Sequence, residues 1–520
     1  MKHLIVLGGG PGGYAAAFEA AKQAKRAGLE LRVTLIERAR LGGTCLNVGC
    51  IPTKTILRTA RALHDVARLD EFAVHGVDAS GAKVDVTALR ERKDRVVSEL
   101  VGQVEATAKR LGVEVVRGEG CLVPANPVPE VLVRDEDGGE YAHTCDGLIL
   151  ATGSVPLVLP ALDAPGIWTS DDAVALREIP QSIIIVGGGV IGVEFASAYA
   201  AFGSKVTIVE LAKSLLPGFD KRVSKTLARA LKDQGVELLL GDSVQSVEKD
   251  AGEHWVARLA SGKELRAAVI MSAVGRVPNV KGFGFEECGL AFEGRAVAVD
   301  ESFRTNLPGV YAIGDVIGGV MLAHAAEHEG VLAARCAITE LFDEDEGGYS
   351  SRPRFACQRD QIVSAPAECS ELPPLILSDV DCVLQENMGH SESPPLILSD
   401  AQLIPGCVYT LPEIATVGMS VDEAKEVGWD AVAGVAKYAG NGKALAGGET
   451  EGFAQLVADK ASGRLLGAQI IGAHAVELIA ILRPFLVHEA KVKEIADAVF
   501  AHPTLSEVIK AAAEVTEGKM

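Results

Sequence analysis

The same glycine-punctuated pattern is written twice in this chain, and it restricts the fold more than any other feature. LIVLGGGPGGYAAAFEAAKQAKRAGLELRVTLIE runs from Leu4 to Glu37, and SIIIVGGGVIGVEFASAYAAFGSKVTIVE runs from Ser182 to Glu210. Each reads as a strand, a glycine turn, an Ala-rich helix and a second strand, the βαβ unit of a parallel sheet. Gly8, Gly10 and Gly13, and then Gly187, Gly189 and Gly192, fill a G-x-G-x-x-G pattern. Such a turn lets backbone approach a pyrophosphate at the start of the helix, while Glu37 or Glu210 at the end of the second strand can bond ribose hydroxyls. Read alone, either pattern is also compatible with a tight turn that holds no ligand. Each unit is followed by a returning strand that ends in small residues, GLILATGS at 147–154 and AVIMSAVGR at 268–276. Two duplicated nucleotide-binding halves are implied, and with them two cofactors that can exchange electrons.

At roughly 150 residues per domain, 520 residues give three or four domains. Seventy Asp plus Glu against fifty Lys plus Arg leave a net charge of -20, which repels a phosphate backbone and argues against nucleic acid. The most apolar stretch, Ala475 to Val487, is interrupted by Glu477, Arg483 and Pro484, so no membrane span is expected. The run Leu4 to Leu7 leads into glycines and not a cleavage site, which reads as a first strand and predicts a cytoplasmic protein. The predicted organisation is a first nucleotide-binding domain over 1–155 and a second over 156–281. A central segment, 282–342, holds VYAIGD and MLAHAAEHEG; an insertion spans 343–403, and an α+β domain of antiparallel sheet and amphipathic helices such as VKEIADAVF spans 404–520. The insertion carries twelve Asp or Glu, three Arg and no Lys, nearly half of the net charge, with six Pro and eight Ser. Within it SELPPLILSD (370–379) recurs as SESPPLILSD (391–400), a short tandem duplication that reads as a surface insertion dispensable for catalysis.

Ten cysteines are too sparse for a disulfide scaffold, so spacing decides their meaning. In GGTCLNVGCIPTK, Cys45 and Cys50 are separated by four residues, and a bond between them needs Cα atoms about 4.4 to 6.8 Å apart. Gly49 allows the sharp turn this requires, and Pro52 suits the first turn of a helix that puts Cys50 at its positive end, where a thiolate is favoured. A zinc site fits poorly, since no second ligand pair of suitable spacing is evident; no metal is expected. Lys54 lies four residues beyond Cys50 and shares its helix face. Thr504-Leu505-Ser506-Glu507 reads on spacing as a capping box at the start of the last helix. Cys357, Cys369, Cys382 and His390 match no metal pattern, and Cys121, Cys145, Cys288, Cys336 and Cys407 read as small core residues.

These motifs, in this order, resemble the flavin disulfide reductases, the class I pyridine nucleotide-disulfide oxidoreductases, and among them the dihydrolipoyl dehydrogenase family. The resemblance rests on GGTCLNVGCIPTK, the two glycine motifs, VYAIGDV, MLAHAAEHEG, YTLPEIATVG, ETEGFAQLV and HPTLSE, and spans the chain apart from 343–403. It implies an α/β fold of two Rossmann-like domains, for FAD and NAD, with a C-terminal dimerisation domain. It implies FAD on Gly8, Gly10, Gly12, Gly13, Glu37, Gly43, Thr44, Lys54, Gly118, Thr152, Gly153, Asp315 and Ala323. NAD would lie on Gly187, Gly189, Val190, Ile191, Gly192, Glu210, Val244 and Gly275. By the same resemblance Cys45 and Cys50 form the redox disulfide, Cys45 exchanging with substrate and Cys50 facing the flavin. His502 is the base, oriented by Glu507 and delivered across a homodimer, and Lys54 meets Glu194 beside the flavin.

The implied activity is oxidation of protein-bound dihydrolipoamide with NAD+. The implied partners are the lipoyl domains and acyltransferase core of 2-oxoacid dehydrogenase complexes, or the glycine-cleavage carrier protein. Glu210 would repel the 2′-phosphate of NADP, so NAD is the expected nucleotide. The nearest alternative is another NAD(P)H-dependent disulfide or mercuric reductase. The final EVTEGKM carries no cysteine pair for a soft metal, and IPTK resembles the lipoamide branch more than its neighbours. A flavoprotein scaffold with incidental redox activity fits less well with intact Cys45, Cys50 and His502.

Overall fold

The computed structural model describes residues 1–77, 81–343 and 400–520. The acidic insertion with its tandem repeat, and with it Cys357, Cys369, Cys382 and His390, lies outside the described residues except at its edges. Asp343 ends the helix Ala323–Asp343, and Asp400–Leu403 form a helical turn leading into the C-terminal sheet.

Both glycine-motif units build parallel sheets. In the first, strands Val310–Ala312, Gly147–Leu150, Lys2–Leu7, Leu31–Glu37 and Glu114–Arg117 lie side by side in that order. In the second, Glu237–Leu240, Lys205–Glu210, Ser182–Val186 and Val269–Ser272 do the same. Helices cover both faces of such sheets, which is why Leu4–Leu7 and Ile183–Val186 are continuous apolar runs and all eight residues are buried. The returning strands at Gly147–Leu150 and Val269–Ser272 each pair with the first strand of their own unit.

The C-terminal part is a five-stranded antiparallel sheet, Gly406–Val408, Glu413–Gly418, Leu465–Gly472, Phe453–Asp459 and Ala431–Lys437. Val408, Ile414, Phe453 and Ile471 of this sheet share one apolar cluster with Ile183, Phe195 and Val206 of the second unit. The two regions are therefore packed as one body of core. The helix expected over VKEIADAVF covers only Val492–Asp497. Ala498 turns extended there, its carbonyl accepting from Lys510 Nζ at 3.4 Å, and the following residues form the exposed approach to His502.

One long element escaped the sequence pattern. Val86–Leu111 is a helix of 26 residues, opened by the Asp85 side chain accepting from Ala88 N–H at 2.9 Å and closed by Gly112 at φ 74°. Its Leu89 packs with Ile56 and Leu57 of the helix Cys50–Ala67, and its Val97 and Val101 pack on Leu46. This helix braces the segment that carries both cysteines.

Candidate active site

The first glycine turn is built by contact. Gly8 adopts φ 110°, and a Cβ there would meet the Ala151 carbonyl oxygen at 2.2 Å. A Cβ on Gly13 would meet the Gly8 carbonyl oxygen at 1.8 Å, so Gly13 serves the close approach of helix to strand and not the lining of the cleft. Glu37 accepts from Gly9 N–H and Ala39 N–H, both at 2.8 Å, which locks its carboxylate at the mouth of the turn. Above this mouth lies a cleft of about 1260 Å³.

Of the residues expected at the first cofactor, Gly8, Gly10, Gly12, Glu37, Gly43, Thr44, Lys54, Gly118, Thr152, Gly153, Asp315 and Ala323 all line this cleft. Of those expected at the second, only Val190 and Ile191 reach it; Gly187, Gly189, Gly192, Glu210, Val244 and Gly275 lie outside its lining. The start of the second motif helix therefore abuts the cleft of the first unit.

The dithiol forms one wall. Cys45 sits in the short helix Gly43–Asn47, entered through Gly42 at φ 98° and Gly43 at φ 53°, and Cys50 opens the helix Cys50–Ala67. The Asn47 amide holds the intervening turn by donating to the carbonyls of Gly43 at 2.9 Å and Leu41 at 3.1 Å. Both cysteines are free thiols, close enough that each shifts the acidity of the other. The neighbouring Cys50 together with burial pushes the Cys45 thiol well above its ordinary range. The neighbouring Cys45, with the Lys54 ammonium nearby, lowers Cys50 to about 7 against the opposing cost of desolvation. The pair is thus polarised, with the thiolate favoured on Cys50.

Lys54 Nζ donates to both carboxylate oxygens of Glu194 at 3.0 Å, and Glu194 is 3% exposed. Across the cleft, Ser154 Oγ donates to Asp315 at 2.5 Å and accepts from Arg276 Nε at 2.8 Å. Tyr14 donates to Glu327 at 2.5 Å, and Glu327 faces Cys45 closely enough to disfavour its thiolate. Ser154, Arg276, Glu327 and Tyr409 line the cleft and were absent from the sequence-based set. All four had a signal, lying within motifs already singled out: Ser154 in GLILATGS, Arg276 in AVIMSAVGR, Glu327 in MLAHAAEHEG and Tyr409 in YTLPEIATVG.

His502 stands apart from this wall. Its Nδ1 lies 2.9 Å from Glu507 Oε1, while Glu507 Oε2 accepts from Thr504 N–H at 2.9 Å. One carboxylate therefore orients the imidazole and fixes the turn before the last helix, Glu507–Glu517. The expected capping box is not formed, since that helix starts after Ser506 without a side-chain cap and the Thr504 hydroxyl bonds to the Ala501 carbonyl and Ser506 Oγ. The Thr504 amide and His502 hold the Glu507 carboxyl below its usual range. The His502 side chain is 78% exposed, and neither it nor Glu507 lines the cleft.

Among the described residues no cluster of His, Cys, Asp and Glu could hold a metal ion, and no helix is long and apolar enough to cross a membrane. A dithiol against a nucleotide-sized cleft, with a second glycine-motif unit abutting it, defines a disulfide oxidoreductase. The chain belongs to the pyridine nucleotide-disulphide oxidoreductase family, whose pattern it matches over residues 2–330, with the dimerisation domain of that family over 404–513. It is 34% identical to a dihydrolipoyl dehydrogenase of Bacillus subtilis, over 99% of this chain and 98% of that one. It is 35% identical to the dihydrolipoyl dehydrogenase of Zymomonas mobilis, over 97% and 96%. Among solved structures, LpdA from Mycobacterium tuberculosis superposes with a TM-score of 0.81 at 25% identity, covering 99% of each chain. The HOCl-induced flavoprotein disulfide reductase RclA from Escherichia coli does so with 0.76 at 26%, again over 99% of each.

Proposed function

We propose that this protein is a dihydrolipoyl dehydrogenase, oxidising protein-bound dihydrolipoamide to lipoamide with FAD and NAD+ as cofactors and acting as a homodimer. The observation that carries the reading is the Cys45–Cys50 pair on the wall of the cleft beside the Lys54–Glu194 ion pair. The residues present suit FAD: Gly8, Gly10 and Gly12 line the cleft with no side chain, Glu37 is fixed for a ribose, and Asn47 keeps a buried Oδ1 without a hydrogen-bond partner. Gly8, Gly10, Gly12, Glu37 and Asp315 would hold FAD, and Gly187, Gly189 and Glu210 would hold NAD. FAD, when bound, takes an electron pair from the dithiol and hands it to NAD+.

The chain's own groups account for the thiol chemistry. The Cys45–Cys50 disulfide is attacked at Cys45 by a substrate thiolate, so that a new S–S bond forms while Cys50 leaves as the thiolate its surroundings favour. The second substrate thiol then attacks the substrate sulfur bonded to Cys45, closing the lipoyl disulfide and releasing Cys45. The partner's His502 takes the protons from the substrate thiols; one returns to Cys45 and one leaves to solvent. Glu507 keeps that imidazole in a single orientation. His502→Gln is expected to slow turnover by roughly 10² to 10⁴-fold with FAD retained.

The direct test follows NADH formation with dihydrolipoamide, against glutathione and mercuric ion with NADPH as rivals. Activity confined to a rival would make this chain a different disulfide or metal reductase. Protein-borne lipoyl domains of a 2-oxoacid dehydrogenase or the glycine-cleavage carrier are the expected physiological substrates. Mixing Cys45→Ser and His502→Gln chains tests the shared site: mixed dimers regain one intact site from two nearly inactive parents, and verified mixed dimers without activity would mean that the histidine acts within its own chain or not at all.

A further inference from the structure

The Lys54–Glu194 pair joins the dithiol helix to the second motif helix, and a third region closes on it from the C-terminal sheet. Between strands Gly406–Val408 and Glu413–Gly418 the chain turns through Tyr409 to Pro412. Tyr409 N–H donates to Glu194 Oε1 at 2.9 Å, and the Tyr409 ring lies under the Lys54 ammonium, 4.4 Å from Nζ to ring centre. The turn is pinned to the second unit independently of Tyr409. Gln234 Nε2 donates to the Leu411 carbonyl at 2.5 Å, and Leu411 N–H donates to Ser197 Oγ at 3.4 Å.

Two constraints on one ion pair thus come from one residue, through different atoms. The backbone N–H occupies Glu194 whatever the side chain is, whereas the ring acts only on Lys54. An ammonium over an aromatic face is held electrostatically, and the attraction grows where water is excluded. A lysine is otherwise a point charge on a flexible four-carbon stem, and Lys54 is not fully enclosed, with 29% of its side chain exposed.

We propose that Tyr409 is a positioning residue for the reaction, its ring fixing the Lys54 ammonium between the dithiol and Glu194. The proposal rests on the function proposed above for the use of Lys54 at the flavin. Its effect on the dithiol does not depend on that use, because Lys54 is one of the charges that stabilise a thiolate on Cys50. Cys45, Glu194 and Tyr14 are other ionisable side chains coupled to Cys50, and none of them touches the Tyr409 ring in the contacts described.

The test compares Tyr409→Leu and Tyr409→Phe holoenzymes, each with and without Lys54→Met, by two readouts. The first is the pH dependence of Cys50 alkylation in the anaerobically reduced protein, followed by mass spectrometry. The second is the rate of flavin reduction by dihydrolipoamide. Tyr409→Leu is expected to leave roughly threefold less Cys50 thiolate near neutral pH and to slow flavin reduction by a similar factor. Tyr409→Phe, which keeps the ring, restores both. In the Lys54→Met background the Leu substitution changes neither, since the partner of the ring is gone. Loss with Phe as large as with Leu, or a Leu effect that persists without Lys54, overturns the proposal. If Lys54→Met itself leaves flavin reduction unchanged, the role of Lys54 at the flavin fails, and the alkylation comparison still decides whether Tyr409 positions Lys54.

Discussion

The two glycine-motif units are the same in backbone and different in what they carry. Gly8 and Gly187 both adopt φ 110°, and Gly10 and Gly189 open their helices at φ -71° and -74°. Glu210 repeats the bonding of Glu37, accepting from Gly188 N–H at 2.5 Å and Ala212 N–H at 2.7 Å. The differences begin inside the helices. Where the first unit has Gly12, the second has Ile191; where the first has Ala15, the second has Glu194, which reaches across to Lys54. Gly12 faces another helix, Ala323–Asp343: a Cβ on Gly12 would meet the Ala326 carbonyl oxygen at 3.0 Å, and one on Gly330 would meet the Gly12 carbonyl oxygen at 2.3 Å. Duplication supplied one nucleotide frame, and side chains at equivalent positions turned one copy toward a covering helix and the other toward the dithiol.

The sharpest test of this comparison substitutes the third glycine in each frame. Alanine at Gly13 or at Gly192 puts a Cβ 1.8 or 2.0 Å from a carbonyl oxygen, an overpacking that costs about 3 kcal/mol or more in such a place. Gly13→Ala should purify without FAD. Gly192→Ala should keep FAD and a dithiol reducible by dihydrolipoamide while losing NADH formation. Loss of both functions in either variant would show that the units do not act separately.

Gly330→Ala probes a contact the second unit does not have. A loss of about 1 to 3 kcal/mol in stability is expected, together with weaker FAD retention and unchanged NAD+ affinity in the flavin-loaded fraction. Equal weakening of both nucleotides, measured by thermal unfolding and titration, would mean that the crossing supports the whole molecule. At Glu210 the effect is smaller. Glu210→Arg should move the ratio of kcat/KM toward NADP+ by roughly tenfold, by replacing a carboxylate that opposes the 2′-phosphate. An unchanged ratio would remove Glu210 from nucleotide choice.

The gentlest probe is pH. Because Cys50 is lowered to about 7, its thiolate predominates above that pH and is lost below it, while Cys45 stays protonated through the same range. Alkylation of the reduced protein should label Cys50 with a midpoint near 7 and spare Cys45. Preferential labelling of Cys45 would reverse the polarity assigned to the pair.

Much of the molecule was legible because its signals are local. Both βαβ units, their returning strands and the antiparallel C-terminal sheet follow from periodicity and glycine spacing, and the turn between Cys45 and Cys50 follows from Gly49 and Pro52. The long helix Val86–Leu111 did not stand out, since its exposed face is rich in charge and only a narrow apolar stripe meets the dithiol helix. Glu507 was ambiguous because the spacing of a capping box also fits a carboxylate that bridges: one oxygen accepts from Thr504 N–H in the turn before the helix and the other holds His502, while the helix itself starts after Ser506 without a side-chain cap.

The order of residues in this chain settles which groups exist and what backbone they need: glycines where carbonyl oxygens crowd a turn, and two thiols at a spacing that a short turn can close. Which groups meet is decided elsewhere. Glu194 lies 140 residues from Lys54 and 215 from Tyr409, so neither contact is encoded by any helical or strand period. Each forms only because the second parallel sheet and the antiparallel one share a core, and the dithiol helix packs on Ala198 and Tyr409 through a separate apolar cluster, which brings a helix start, a helix face and a turn to one point. Burial at that point then gives the charges their force, since Glu194 is nearly excluded from solvent and an ion pair there is screened far less than on the surface.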